Sequence, residues 1–135
     1  MKNTICAIGG AVLTAASYLL GGLDTALLTL AIVMSLDYIT GVCKAYKLKT
    51  LNSKTGFLGI LKKFGYFVIV ALAVIIDRMA GDTGAVRTMV IYFFVANDGL
   101  SILENWGAMG LPLPNKLFEV LDQLKSDNNP NDTAE

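Results

Sequence analysis

The 135 residues carry a formal net charge of zero, and 54% of them are hydrophobic. Only 16% are charged, where a soluble domain carries about a quarter, and the apolar residues form long blocks. The composition predicts an all-α integral membrane protein with no nucleic-acid partner and excludes an ordinary soluble domain.

Little in the chain favours catalysis or metal binding. Histidine, the commonest general base and metal ligand, is absent. Cys6 and Cys43 form no CxxC pair and are interpreted as small apolar residues. No nucleophile–base pair, metal set or phosphate loop accompanies the acidic residues, so we predict a non-enzyme without a cofactor.

The first apolar block covers residues 4–23, directly after Lys2. A basic start before an apolar block is also typical of a cleaved signal peptide. This block is longer than a usual signal core and leads straight into a second apolar block, so we favour a retained first transmembrane helix. The turn at 21–24 predicts an antiparallel hairpin with the next helix.

The second block, residues 25–43, reads TALLTLAIVMSLDYITGVC and is long enough to cross a hydrocarbon core of about 30 Å. It contains one ionised side chain, Asp37, which costs about 2.5–3.5 kcal/mol in lipid and should face protein or water. We interpret Asp37 as a pore or oligomer-interface candidate. The alternative is an ordinary hydrogen bond between helices.

A basic segment without acidic residues follows the second block. Its lysines are candidates for binding lipid headgroups: Lys44, Lys47, Lys49, Lys54, Lys62 and Lys63. Residues 51–63, capped by Ser53 or Thr55, form either a basic amphipathic helix on the cytoplasmic membrane surface or the first turns of the next span.

The third span is predicted at about 62–80 and the fourth at about 86–106. The second half of the fourth span carries a polar stripe at helical spacing, which should point at other helices or water. Its members are further pore or interface candidates: Asn97, Asp98, Ser101, Glu104 and Asn105. We expect that a monomer offers this stripe too few partners, although simple helix-to-helix hydrogen bonds remain an alternative.

The chain closes with an amphipathic helix at about 115–125 and a polar tail at 126–135 that is predicted to be disordered. Residues 1–125 are therefore expected to form a single membrane domain. With four spans, both arginines, Arg78 and Arg87, fall on one side and every lysine on the other. By the positive-inside rule the lysine side is cytoplasmic, which places both termini inside.

Three stretches together resemble the phage and toxin-secretion holin family. They are LDYITGV at 36–42, KTGFLGILKK at 54–63 and IYFFVANDGLSILENWGAMGLPLPNKL at 91–117. Where family members often read N-E-G, this chain has Asp98 in the acidic place.

The resemblance implies a small protein of the bacterial cytoplasmic membrane that forms homo-oligomeric lesions. Its functional partner would be an endolysin or a large exported toxin, and its lysines imply anionic lipid around it. Two other interpretations stay open: a small four-helix transporter and a scaffold subunit of a membrane complex. The transporter is disfavoured because such proteins carry their essential acid in the first helix, and here that helix has none.

Overall fold

The computed structural model describes residues 1–127, and over them the protein is helical without any strand. The helices are α1 (Lys2–Leu19), α2 (Thr25–Lys47), α3 (Ser53–Met79), α4 (Ala85–Ala108) and α5 (Asn115–Asp127). The all-α prediction is confirmed. Ser126 and Asp127 belong to α5, so the predicted disordered tail is wrong for these two residues. Its remainder, 128–135, lies outside the described residues.

Three of the described helices, α2, α3 and α4, are long and apolar enough to cross a membrane. They overlap the second, third and fourth predicted spans, although α3 begins at Ser53, well before the predicted start of the third span near residue 62. The 18-residue α1 covers most of the first predicted span but is not among the three. A first crossing by α1 therefore stays a prediction.

Helix α3 is continuous from Ser53, which answers the question that the sequence left open for residues 51–63. Ser53 and the residues after it form the first turns of the same helix that contains the third apolar block. The helix is capped by Asn52, whose side chain accepts a hydrogen bond from the backbone N–H of Lys54 at 2.9 Å. Neither of the expected caps, Ser53 or Thr55, is needed because Asn52 already occupies the extended cap position.

The apolar core lies between α2, α3 and α4. Leu30, Val70 and Ile91, one from each helix, are fully enclosed. Helix α1 has no buried side chain and is attached at its C-terminal end. There the Arg87 guanidinium donates to the Leu20 carbonyl at 2.6 Å, and Arg78 donates to the Tyr18 carbonyl at 2.6 Å.

The turn between α1 and α2 fits around Arg87 of α4. Arg87 donates to both carboxylate oxygens of Asp24, at 2.8 and 3.0 Å, and Asp24 also caps α2 by accepting from the Leu27 N–H at 3.0 Å. Gly21 has φ +76°, and a Cβ there would lie 2.8 Å from Arg87 Nε. Glycine is required at this position both for its backbone conformation and for the space that Arg87 fills.

Helix α5 folds back along the second half of α4. A Cβ at Gly107 would lie 2.7 Å from Leu113 Cδ1, and a Cβ at Gly99 would lie 3.1 Å from Leu121 Cδ1. Leu113 lies in the connector just before α5 and Leu121 in α5 itself, and the later of the two meets the earlier residue of α4. The chain after α4 therefore runs back antiparallel to it. The two glycines allow this close approach.

Candidate functional site: a polar network between three helices

A cluster of charged side chains joins α2, α3 and α4 in the half of the bundle that contains the end of α2. The ammonium of Lys63 in α3 forms ion pairs with the carboxylates of Asp37 in α2 and Asp98 in α4. The side chains of Lys63 and Asp37 are 15% and 14% exposed, and that of Asp98 only 2%. Asp37 therefore faces protein, as expected, since lipid would leave its charge unpaired.

The second oxygen of Asp98 is also bound. The hydroxyl of Tyr66 donates to it at 3.0 Å, and the side-chain amide of Asn97 donates to that hydroxyl at 3.1 Å. The Tyr66 ring stacks on Phe94 with centroids 3.9 Å apart, which fixes the direction of the hydroxyl. Asp98 thus has a charged partner on one side and a rigid neutral donor on the other.

Asn105 extends the network toward the end of α2. Its amide donates to the Thr40 hydroxyl at 3.2 Å and, more weakly, to Asp37 at 3.4 Å. Asn105 is 4% exposed, so these bonds replace water at a buried position. We refer to Asp37, Thr40, Lys63, Tyr66, Asn97, Asp98 and Asn105 as the polar network.

The expectation that the stripe on α4 lacks partners in one chain is wrong for Asn97, Asp98 and Asn105, which are hydrogen-bonded within the chain. In the described part of the chain, no buried side-chain nitrogen or oxygen lacks a hydrogen-bond partner. The reason is that α3 contributes Lys63 and Tyr66, which the sequence analysis did not place opposite the stripe. Of the six predicted site residues, Asp37, Asn97, Asp98 and Asn105 come together, while Ser101 lies half-buried beside a cleft and Glu104 is exposed.

The cleft has a volume of about 440 Å³ and lies between the ends of α2 and α4 and the beginning of α3. Its walls include the network residues Asp37, Lys63 and Asp98 together with Lys44 and Lys62. It is open on one side, so water can reach the network from the lysine-rich end of the bundle. Over residues 1–127 no group of His, Cys, Asp and Glu side chains could hold a metal ion.

The six lysines proposed for lipid headgroups differ in their surroundings. The assignment of Lys63 to lipid headgroups is wrong, because its two ion pairs direct its ammonium into the bundle. Lys47 donates to the carbonyl of Met109 and so ties the end of α2 to the end of α4. Lys49 and Lys54 are exposed, and Lys44 and Lys62 lie at the cleft, so these four remain headgroup candidates.

The contribution of α3 to the polar network was not predicted from the sequence, and the reason is physical. Lys63 stands next to Lys62 in a basic run, and nothing in the run distinguishes a lysine that faces lipid headgroups from one that faces a buried acid. A usable signal was the presence of an acid in each of the two other spans, at Asp37 and Asp98. Two acids at membrane depth call for a cation between them, because an unpaired charge is costly there.

A second polar cluster at the opposite end of the bundle was also missed. The carboxylate of Asp77 accepts hydrogen bonds from the backbone N–H groups of Val86 and Arg87 at 3.0 and 2.8 Å. Asp77, which is 2% exposed, thereby satisfies the first free donors of α4, while Gly84 takes the cap position in a left-handed conformation. This end of the bundle is held by Asp24, Asp77 and Arg87 together.

Comparison with known proteins gives a consistent set of relatives. Residues 14–126 match the profile of the bacteriophage holin family. The chain is 36% identical to a probable holin of Bacillus phage phi105 over 115 residues, which cover 84% of each chain. It is 42% identical to an uncharacterized 14.9 kDa protein of Clostridium perfringens over 111 residues, 82% of this chain and 84% of that protein. It is also 40% identical to an uncharacterized protein of Listeria monocytogenes over 107 residues, 79% and 74% of the two chains. No solved structure matches this chain.

Proposed function

This chain belongs to the bacteriophage holin family, and we propose that it is a pore-forming holin. In this proposal it inserts into the bacterial cytoplasmic membrane, associates with further copies of itself and opens lesions. The lesions release an endolysin or a large toxin. The observation that carries the proposal is the match to the family over residues 14–126, combined with three helices able to cross a membrane.

The proposed topology has four crossings with both termini in the cytoplasm. It is supported by the lysines, which all fall on the side where α2 ends and α3 begins if α1 also crosses. The exposed lysines Lys49 and Lys54 and the cleft lysines Lys44 and Lys62 would then meet the cytoplasmic leaflet. Each lysine near an anionic surface contributes about 1 kcal/mol, which favours anionic lipid as the surrounding.

The polar network suits a protein that must first accumulate harmlessly. Its two carboxylates and one ammonium hold α2, α3 and α4 together, so a single subunit presents no unpaired buried charge. Separating the partners of such a buried ion pair is strongly destabilising, because it leaves an uncompensated charge. We propose that the network keeps each subunit closed before assembly, and that the less enclosed Ser101 and Glu104 remain available to an interface between subunits.

Inducible expression in a bacterium tests the proposal. The full-length chain and a control chain that ends at residue 84, before α4, are expressed with and without a separately encoded endolysin. Growth and membrane potential are followed over time. A holin should accumulate with little harm, collapse the potential abruptly and lyse only the cells that contain endolysin.

The control chain should neither collapse the membrane potential nor lyse cells that contain endolysin. A transporter or a scaffold subunit would leave the potential intact throughout, and that result for the full-length chain would refute the proposed function.

A further inference from the structure

Helices α2 and α4 run side by side in the same direction, and their register is set at both ends. At one end Arg87 pairs with Asp24, 63 positions earlier in the chain. At the other end Lys47 donates to the carbonyl of Met109, 62 positions later. A residue of α2 is therefore level with the residue of α4 that follows it by about 62 positions.

The contact between α5 and α4 gives the position of α5 along the axis of α4, and so its level relative to α2. Leu121 of α5 lies against Gly99, and α5 runs antiparallel to α4, so α5 residues just after Leu121 lie beside α4 residues just before Gly99, and the converse holds on the other side of this contact. Asp122 is then level with Asp98, and Glu119 is level with Ser101. Through the register with α2, these two acids stand at the height of Leu36 and Ile39.

At that height the molecule has two unlike surfaces. Leu36 and Ile39 are 47% and 54% exposed and belong to a row of apolar side chains along α2, which we call the α2 apolar row. The row consists of Leu28, Ile32, Leu36, Ile39, Val42 and Tyr46, all of them exposed. It extends over about 27 Å at 1.5 Å per residue, close to the thickness of a hydrocarbon core.

Helix α5 exposes three charged side chains next to the exposed apolar Leu117, Phe118 and Val120, whereas the α2 apolar row has no charge. Lys116, Glu119 and Asp122 are all exposed, and they stand on the side of α5 turned away from Leu121 and α4. We call these three residues the α5 polar face. Lipid can surround the α2 apolar row but can satisfy none of the three charges at the same depth.

We propose that the α5 polar face lines the water-filled lumen of the assembled protein, while the α2 apolar row faces lipid. The inference rests on the proposed holin function and assigns the lumen to α5 in place of the stripe on α4. The stripe is largely enclosed, since Asp98 and Asn105 are 1% and 4% exposed, whereas the α5 polar face has no cover in the described part of the chain. Several copies arranged with α5 inward would place every such face in water.

Purified full-length protein in vesicles of phosphatidylglycerol and phosphatidylethanolamine provides the test. The native cysteines, Cys6 and Cys43, are first replaced by alanine. Nitroxide labels are then placed singly at Glu119, Asp122, Leu36 and Ile39, and release of an enclosed dye is recorded for each sample. In vesicles that have released dye, labels at 119 and 122 should collide with a water-soluble nickel chelate, and labels at 36 and 39 with oxygen dissolved in the lipid.

A disulfide separates a lumen-lining α5 from one that lifts off onto the membrane surface. The variant G99C/L121C joins the two positions that already touch. If α5 lines the lumen while docked on α4, the oxidised and reduced forms should release dye alike. Release that is lost on oxidation and restored by reduction would overturn the inference.

A matched pair of variants tests the polarity of the face. K116L/E119L/D122L makes the face apolar and should insert but release at least tenfold less dye than the parent. K116Q/E119Q/D122N keeps the face polar without charge and should release dye like the parent. Equal release by both variants would contradict the inference. If the parent itself releases no dye, the proposed function fails first, and the inference fails with it.

Discussion

Arg87 and Asp24 form a two-point ion pair that joins α4 to the turn between α1 and α2. Both carboxylate oxygens are engaged, at 2.8 and 3.0 Å, and the guanidinium also holds the carbonyls of Leu20 and Gly22. The Arg87 side chain is 10% exposed and the Asp24 side chain 49%. One arginine therefore organises the end of the bundle at which α1 is attached.

This pair predicts a specific dependence on pH. The hydrogen bond from Arg87 lowers the pKa of Asp24 to about 2 from its ordinary 3.8. A group with a lowered pKa stabilises the fold above its unfolded value, and this contribution is lost as pH falls from about 4 through about 2. Asp24→Asn should reduce stability at pH 7 by less than about 1 kcal/mol, since solvent screens the half-exposed carboxylate of Asp24.

The measurement is the thermal midpoint in detergent at pH 7, 4 and 2.5 for the parent and for Asp24→Asn. The difference between the two proteins should shrink toward the lowest pH. A difference that stays constant from pH 7 to 2.5 would show that Asp24 does not titrate against Arg87.

The second prediction concerns the polar network. Lys63→Met leaves the carboxylates of Asp37 and Asp98 facing each other without a cation and should destabilise the fold by about 3–5 kcal/mol. The triple variant Lys63→Met, Asp37→Asn, Asp98→Asn should recover much of the lost stability, because no charge is then left unpaired. The neighbouring Lys62→Met is the matched control, since Lys62 is exposed.

Thermal midpoints in one detergent, read by helical circular dichroism, compare the four proteins. Equal midpoints for Lys63→Met and Lys62→Met would mean that Lys63 is not enclosed between the acids.

The third prediction uses two helical glycines with unlike surroundings. A Cβ at Gly99 would lie 3.1 and 3.3 Å from the two methyl carbons of Leu121, whereas a Cβ at Gly65 would meet nothing within 4 Å. Gly99→Ala should therefore loosen α5 on α4, and Gly65→Ala should be neutral or stabilising by up to about 1 kcal/mol because alanine favours a helix. Hydrogen exchange at residues 115–127 measures the docking of α5.

Exchange there should rise in Gly99→Ala alone. If both variants exchange like the parent, the contact between Leu121 and Gly99 does not hold α5 in place.

The helices were predictable from sequence to a large extent because apolar blocks of about 20 residues report directly on membrane crossing. The second, third and fourth spans overlap α2, α3 and α4. The beginning of α3 could not be predicted from the sequence, because the lysines around Phe57 and Leu58 suit both a surface helix and the start of a span. The structure continues the helix since Asn52 caps it ahead of the expected positions.

The partners of the polar residues were far less predictable. The sequence showed that Asp37 and Asp98 must avoid lipid, and both do, yet it gave no register between helices. The cation that pairs with both acids comes from a residue 26 positions after one and 35 before the other. The packing of α5 against α4 depends on Gly99 and Gly107, whose spacing carries no special signal when read in isolation.

The last prediction decides whether α1 crosses the membrane. Four crossings place Asn3 and Ser53 in the cytoplasm and Thr83 outside, whereas three crossings by α2, α3 and α4 alone would leave Asn3 outside together with Thr83. Single cysteines at these three positions, in a background without Cys6 and Cys43, are exposed to a membrane-impermeant thiol reagent in intact cells before any lesion opens. With four crossings, only position 83 should be labelled, and positions 3 and 53 should react after the cells are broken. Labelling of position 3 in intact cells would show that α1 stays on the outer side, and labelling of position 53 would reverse the proposed orientation.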